Sequence, residues 1–255
     1  MRVLLWSLLL LSPTTLVAQE TPKFDAIVAR RHDPSDPSQD GGIYWKGLTF
    51  EAKNVPMTFL VTRAFGTEKW LIEGMPAWAS KGTWDFSAKV TPDGLAAMKN
   101  VSHNQMGPLL KMVLTEQFGL RYHFENKVQP VYELTVLPGG PKFKPTPAPD
   151  GDASKRRPGN WNFFKGTANA KGITMPQFAE SFSPLVERVI VDKTGLTDMY
   201  DLEVKWTPDD VPTTEADTTP GVFTALREQL GLKLTPAKAS VPSLVIDAMT
   251  PPDEN

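Results

Sequence analysis

The sequence predicts an α+β protein of two similar lobes, each a small, mainly antiparallel sheet with two helices packed on it. Three observations carry this expectation. The chain matches itself: Trp84-Asp85-Phe86-Ser87-Ala88-Lys89-Val90-Thr91-Pro92-Asp93 returns as Tyr200-Asp201-Leu202-Glu203-Val204-Lys205-Trp206-Thr207-Pro208-Asp209, and Glu116-Gln117-Phe118-Gly119-Leu120 returns as Glu228-Gln229-Leu230-Gly231-Leu232. Self-similarity in a fixed order reports repeated architecture. Period-two and helical apolar patterns also follow one order in both halves. Finally, 255 residues without a cysteine must be held together by buried apolar cores.

The first lobe is expected over residues 44–145. Leu48-Thr49-Phe50-Glu51-Ala52 alternates as a half-buried strand does. Pro56 opens a helix, with Asn54 available as its cap, and Met57, Leu60, Val61 and Ala64 form its buried stripe up to Gly66. Trp70-Leu71-Ile72 reads as a second strand. Thr83 to Val90 is a third, with Trp84, Phe86, Ala88 and Val90 on one face. Met106 to Phe118 is a helix whose buried stripe is Leu109, Leu110, Val113 and Leu114, and Gly119 stands at its C-cap. Leu120 to Phe124 and Val131 to Val136 read as a closing hairpin.

The second lobe, residues 166–255, repeats this order. Ile173-Thr174-Met175 matches Val55-Pro56-Met57. Phe178, Ala179 and Phe182 take the helix face, Val189 to Val191 the second strand, Tyr200 to Trp206 the third, and Phe223 to Leu230 the second helix. Leu232 to Leu234 and Leu244 to Ile246 close the lobe. The offset between matched blocks falls from 118 to 116 to 112 residues. Loop deletions account for that drift, because loops tolerate length change at small entropic cost. Residues 146–165, rich in proline and glycine, read as a linker. Residues 19–43 form a polar N-terminal arm in which Phe24 to Val28 alternates as a strand.

Residues 1–18 read as a secretory signal peptide: Arg2, a short apolar run to Leu11, a break at Ser12-Pro13, and small residues ending at Ala18. The run is shorter than the about 20 apolar residues a spanning helix needs, and no later stretch is apolar enough to cross a membrane. A periplasmic or secreted protein is therefore expected. A net charge of −2 is too weak for a dedicated nucleic-acid binder, which needs a dense positive face.

The run Val191-Asp192-Lys193-Thr194-Gly195-Leu196-Thr197-Asp198-Met199-Tyr200-Asp201, then Trp206-Thr207-Pro208-Asp209, resembles a family signature. So do Phe118-Gly119-Leu120, Pro130-Val131-Tyr132, Gly139-Gly140-Pro141-Lys142 and the block from Leu226 to Leu232. Together they look like a soil-associated, acidobacterial-type family of exported proteins of unknown function, from Phe24 to Asn255. Related domains are joined to membrane-embedded sensor metallopeptidases, which implies sensing or binding outside the cytoplasm. The resemblance supplies no catalytic residues. At Arg30-Arg31-His32 the arm departs from the lysine-proline pattern usual there.

The three histidines, His32, His103 and His123, are isolated in sequence, so no metal site or cofactor is expected. No Gly-x-Ser-x-Gly elbow and no phosphate-binding loop occurs. Asp192, Asp198, Asp201 and Glu203 cluster within twelve residues. A glycosidase needs such paired carboxylates, which makes Asp192 and Asp201 the candidates for catalysis. Yet Asp192 precedes Lys-Thr-Gly, a natural turn, and the repetition of Asp201 as Asp85 fits a structural hydrogen bond used in both lobes. The basic run Lys155, Arg156, Arg157, followed by Trp161, Phe163 and Phe164, is a candidate contact for an acidic partner or glycan. Trp70 and Trp78 flank a turn and are candidates to line a groove.

The leading expectation is an exported, non-catalytic binding or sensing module, with ligand contacts drawn from Trp70, Trp78, Lys155, Arg156, Arg157 and Trp161. Its partner is expected to be an envelope protein or glycan. The alternatives are a carboxylate-dependent hydrolase of envelope or extracellular glycans, and a structural assembly component.

Overall fold

The structure, a computed structural model, describes residues 24–36, 41–91, 106–148, 151–152, 159, 161–164, 166–208 and 219–252. The expected signal peptide and the basic run Lys155, Arg156, Arg157 lie outside the described residues. The protein is α+β, with four helices and three mainly antiparallel sheets of four strands each among those residues. The chain divides into two compact units. The first comprises the residues up to Gly66, Pro76–Leu120 and those from Met249 on; the second comprises Thr67–Met75 and Arg121–Ala248.

In the first unit, β1 (Phe24–Arg31), β2 (Gly42–Lys46), β3 (Thr49–Pro56) and β5 (Thr83–Val90) form one antiparallel sheet in the order β1-β5-β3-β2. Strand alternation puts Trp84, Phe86, Ala88 and Val90 on one buried face, with Phe50 and Ala52 of the neighbouring strand. Helix α1 (Met57–Phe65) buries Met57, Leu60, Val61 and Ala64. Helix α2 (Met106–Phe118) buries Leu109, Leu110, Val113, Leu114 and Phe118 and packs on α1. Gly107 allows that approach: a Cβ there would stand 2.9 Å from the Ala64 carbonyl oxygen. Asn54 does not cap α1. Pro56 occupies the N-cap position without a side-chain bond, and Asn54 Oδ1 instead accepts from Thr83 Oγ1 at 2.7 Å.

The second unit holds two sheets. In one, β7 (Lys144–Pro145), β11 (Tyr200–Lys205), β9 (Thr167–Ile173) and β8 (Trp161–Phe164) lie in that order, all antiparallel. Helix α3 (Met175–Phe182) begins at a capping box between Thr174 and Gln177 and buries Met175, Phe178, Ala179 and Phe182. Helix α4 (Val222–Ala225) continues into a π-helical turn, Leu226–Leu230, and ends at Gly231 with φ 67°. In the other sheet the order is β10-β6-β12-β4. Here β6 (Arg121–Val136) and β12 (Leu232–Ala248) pair antiparallel along their lengths. Short β10 (Ile190–Asp192) runs parallel to β6, and β4 (Ile72–Glu73) parallel to β12.

Several elements differ from the sequence reading. The expected hairpin of Leu120 to Val136 is one 16-residue strand. Its polar middle, Glu125-Asn126-Lys127, resembles a turn in sequence but is the solvated part of a ribbon. Pro130, Pro236 and Pro242 are tolerated in this ribbon because much of each outer edge lies beyond the short β10 and β4 pairings. Trp70-Leu71 is not strand: Lys69–Leu71 is a single 3₁₀ turn, and β4 starts only at Ile72. Three sheets are present where one per lobe was expected, because the closing strands of both halves join each other. Trp161–Phe164, inside the expected linker, is strand β8; Trp161 packs on Phe182, and Phe163 on Phe182 and Trp206.

Candidate functional site

Among the described residues, strand β1 is an edge strand, bonded on one side only to β5. His32 donates its amide to Thr83 O at 2.9 Å, just past the end of β1. Antiparallel pairing alternates, so Arg30 and Val28 also bond toward β5, while Ile27, Ala29 and Arg31 present their N–H and C=O groups to the outside. Along this edge lies a cleft of about 950 Å³ lined by all of Ile27 to Arg31, by Trp84, by the Glu116-Gln117 pair at the end of α2, and by Pro251-Pro252. The Arg31 guanidinium sits 5.4 Å from the Trp84 ring centre and has no carboxylate within ion-pair distance among the described residues. The Trp84 indole N–H is buried and has no hydrogen-bond partner among the described residues.

The opposite face of the sheet carries a shallower hollow of about 280 Å³, lined in part by Val28, Arg30, Glu51, Lys53 and Asp85. Asp85 is buried there. Its Oδ1 accepts from His32 Nδ1 at 2.8 Å and from the Asn54 amide at 2.9 Å. Its Oδ2 is buried without a hydrogen bond, and the Arg30 Nε 3.7 Å away is an ion-pair contact rather than a bond. This carboxylate holds backbone and closes the end of β1. Nearby, burial and the adjacent Glu51 carboxylate raise the Tyr44 phenol above its ordinary range.

The candidate carboxylates of the second unit are similarly engaged. Asp201 Oδ1 accepts from the Gly172 amide at 2.9 Å and from Thr146 Oγ1 at 2.7 Å. Asp192 Oδ1 accepts from the amide and hydroxyl of Thr194 at 2.9 and 2.7 Å, a turn-forming arrangement. Among the described residues, no group of three or more His, Asp and Glu converges to hold a metal ion.

The candidate tryptophans separate. Trp70 belongs to the second unit, on its 3₁₀ turn, with a buried and unbonded indole N–H. Trp78 belongs to the first, where it stacks on Phe118 at 6.3 Å and meets Trp84 edge-on at 5.4 Å. Trp161 packs against Phe163, Phe178 and Phe182 and borders a hollow of about 220 Å³ with Lys171, Gln177 and Glu180. Sequence reasoning singled out Arg30-Arg31-His32 as unusual but did not see the edge it lies on. The available signal was the self-match itself, which placed Gln117 and Gln229 at equivalent positions.

A family model described as "Protein of unknown function (DUF3738)" matches residues 22–249. The chain belongs to this family. No curated protein and no solved structure matches it. The DUF3738 match spans both units and every described strand and helix, so strand β1, Asp85 and Asp201 lie within the family domain, while Pro251 and Pro252 of the cleft lie just past the matched residues. No helix among the described residues is long and apolar enough to cross a membrane.

Proposed function

We propose that this DUF3738 protein is an exported binding module of the bacterial envelope, built from two copies of one ancestral half. The observation that carries the binding reading is the cleft of about 950 Å³ along the free edge of β1. Clefts with a few polar groups among apolar walls are the default ligand sites. Asp192 and Asp201, the sequence candidates for hydrolysis, each accept at Oδ1 from a backbone amide and a threonine hydroxyl, which supports a structural use for them.

Support for the duplication comes from equivalent parts. The sheet orders β1-β5-β3-β2 and β7-β11-β9-β8 correspond strand for strand. Asp85 and Asp201 bond the amides of Asn54 and Gly172, both at positive φ, 50° and 65°. Gly119 and Gly231 end the equivalent helices at φ 55° and 67°. In this reading each copy's short strand, β4 or β10, lies beside the long strand of the other copy. The compositional signature of residues 1–18 supports export, and the soil-bacterial origin implied by the Val191 to Asp209 motifs fits that setting.

Binding is tested by screening the purified protein against peptidoglycan fragments, oligosaccharides and envelope proteins, using light scattering to define its assembly state. A saturable binder in one class supports the module. Turnover lost in folded Asp192→Asn and Asp201→Asn variants would instead establish the hydrolase.

A further inference from the structure

We infer that the β1 edge captures an extended peptide by strand addition, with an apolar and an acidic side chain four residues apart facing Ile27 and Arg31. This inference rests on the binding reading above and names its ligand class. Two independent features converge. First, the outward N–H and C=O groups of Ile27, Ala29 and Arg31 are spaced as a strand's rungs and carry no partner strand among the described residues. Folded proteins generally cover or charge such edges, because an incoming strand is their natural partner. Second, alternation puts the side chains of Ile27, Ala29 and Arg31 on one face of the strand, the face of their partners Ala88, Phe86 and Trp84, and all three line the cleft. Ile27 is the apolar side chain of this row, and Pro251 and Pro252 add apolar wall to the cleft. Arg31 is the charged one, held by its stacking on Trp84 and without a carboxylate among the described residues.

The equivalent edge in the second unit shows why this one differs. There β7 covers only Tyr200 and Asp201 of β11. Farther along, the Gln229 carboxamide completes the edge: its Oε1 accepts from the Lys205 amide at 2.9 Å, and its Nε2 donates to the Lys205 carbonyl at 2.7 Å. One side chain thus makes both bonds of a neighbouring strand. The matching residue, Gln117, meets a filled position, because β1 already pairs with Lys89. Gln117 is left as a wall of the cleft, where its carboxamide can serve an incoming backbone in the same two-bond manner.

The test is selection of a phage-displayed library of random nonapeptides on the purified protein and, in parallel, on its Ala29→Pro variant. Proline at residue 29 removes an outward N–H and leaves the bonds to β5 in place, a tolerated substitution on an edge strand. Enriched peptides are expected to carry an apolar and an acidic residue four positions apart. Their dissociation constants should rise at least tenfold on Ala29→Pro, on Arg31→Glu, and when one pairing amide of the peptide is N-methylated. The last measurement uses the unmodified protein, so it holds if Ala29→Pro folds poorly. Enriched peptides that tolerate N-methylation at every position would overturn strand addition. So would a dimer that Ala29→Pro dissolves, which would assign the edge to a second copy. If a glycan or envelope protein binds and no nonapeptide is enriched, strand addition fails and the binding module stands; if neither screen yields a binder, both fail.

Discussion

Asp85 holds Asn54 in a backbone conformation that few side chains tolerate. Its Oδ1 accepts the Asn54 amide at 2.9 Å while Asn54 sits at φ 50°. The same oxygen takes the His32 ring nitrogen, so one carboxylate ties together the bulge in β3 and the end of β1. Removing it would strand two part-buried donors, and each unsatisfied buried group costs about 1–3 kcal/mol. Asp85→Ala is therefore expected to destabilise the protein by roughly 2–4 kcal/mol, read as a lower urea midpoint. Asp85→Asn keeps one acceptor and should cost less than half as much. Equal stability for Asp85→Ala and wild type would show that the carboxylate is not structural.

Gly172 occupies the corresponding place beside Asp201, at φ 65°. An L side chain in this region costs roughly 1–2 kcal/mol. Gly172→Ala should lower stability by about that amount, with no change in the slope of unfolding against denaturant. A neutral Gly172→Ala would mean that the bulge relaxes and that the likeness to Asn54 is superficial.

The edge-completing bonds of Gln229 predict a local effect. In Gln229→Ala the Lys205 amide loses its acceptor and meets solvent. Hydrogen exchange at Lys205 should quicken at least tenfold, while amides in β9 stay protected. Global stability should fall by about 1 kcal/mol, the net worth of an ordinary hydrogen bond.

The strongly patterned elements were legible from sequence. The Trp84 to Val90 alternation and the Leu109 to Leu114 stripe each commit to one buried face, so their faces follow from spacing. The long strands were not legible, because Glu125-Asn126-Lys127 carries turn chemistry while its neighbours in space, Val241 to Ser243, lie more than a hundred residues away. Trp161 and Phe163 were visible as aromatics; only the pairing of β8 with β9 turns them toward Phe182. The edge cleft was hidden for the same reason. Nothing in the local sequence Ile27 to Arg31 says which side of the strand pairs with β5. The recurring aspartate was the exception: its return in the self-match pointed to a structural hydrogen bond, and Asp85 and Asp201 each accept a backbone amide.

Glu68 gives a pH-dependent prediction in the second unit. Its side chain is half-buried, and that desolvation raises its carboxyl above the ordinary 4.5; the neighbouring Lys69 opposes the shift without cancelling it. With the folded pKa above the unfolded one, the group's stabilising contribution is fully present below pH 4.5 and is lost as pH rises through the folded value. Glu68→Gln keeps the shape and removes the charge. The variant should match wild type at pH 3 and exceed it at pH 7, by no more than about 1 kcal/mol because the side chain is partly exposed and screened. Thermal unfolding of both proteins across this range separates the outcomes. A gain that is the same at both pH values would assign the effect to packing, and a loss at pH 7 would show that the ionised Glu68 is bonded in the folded protein.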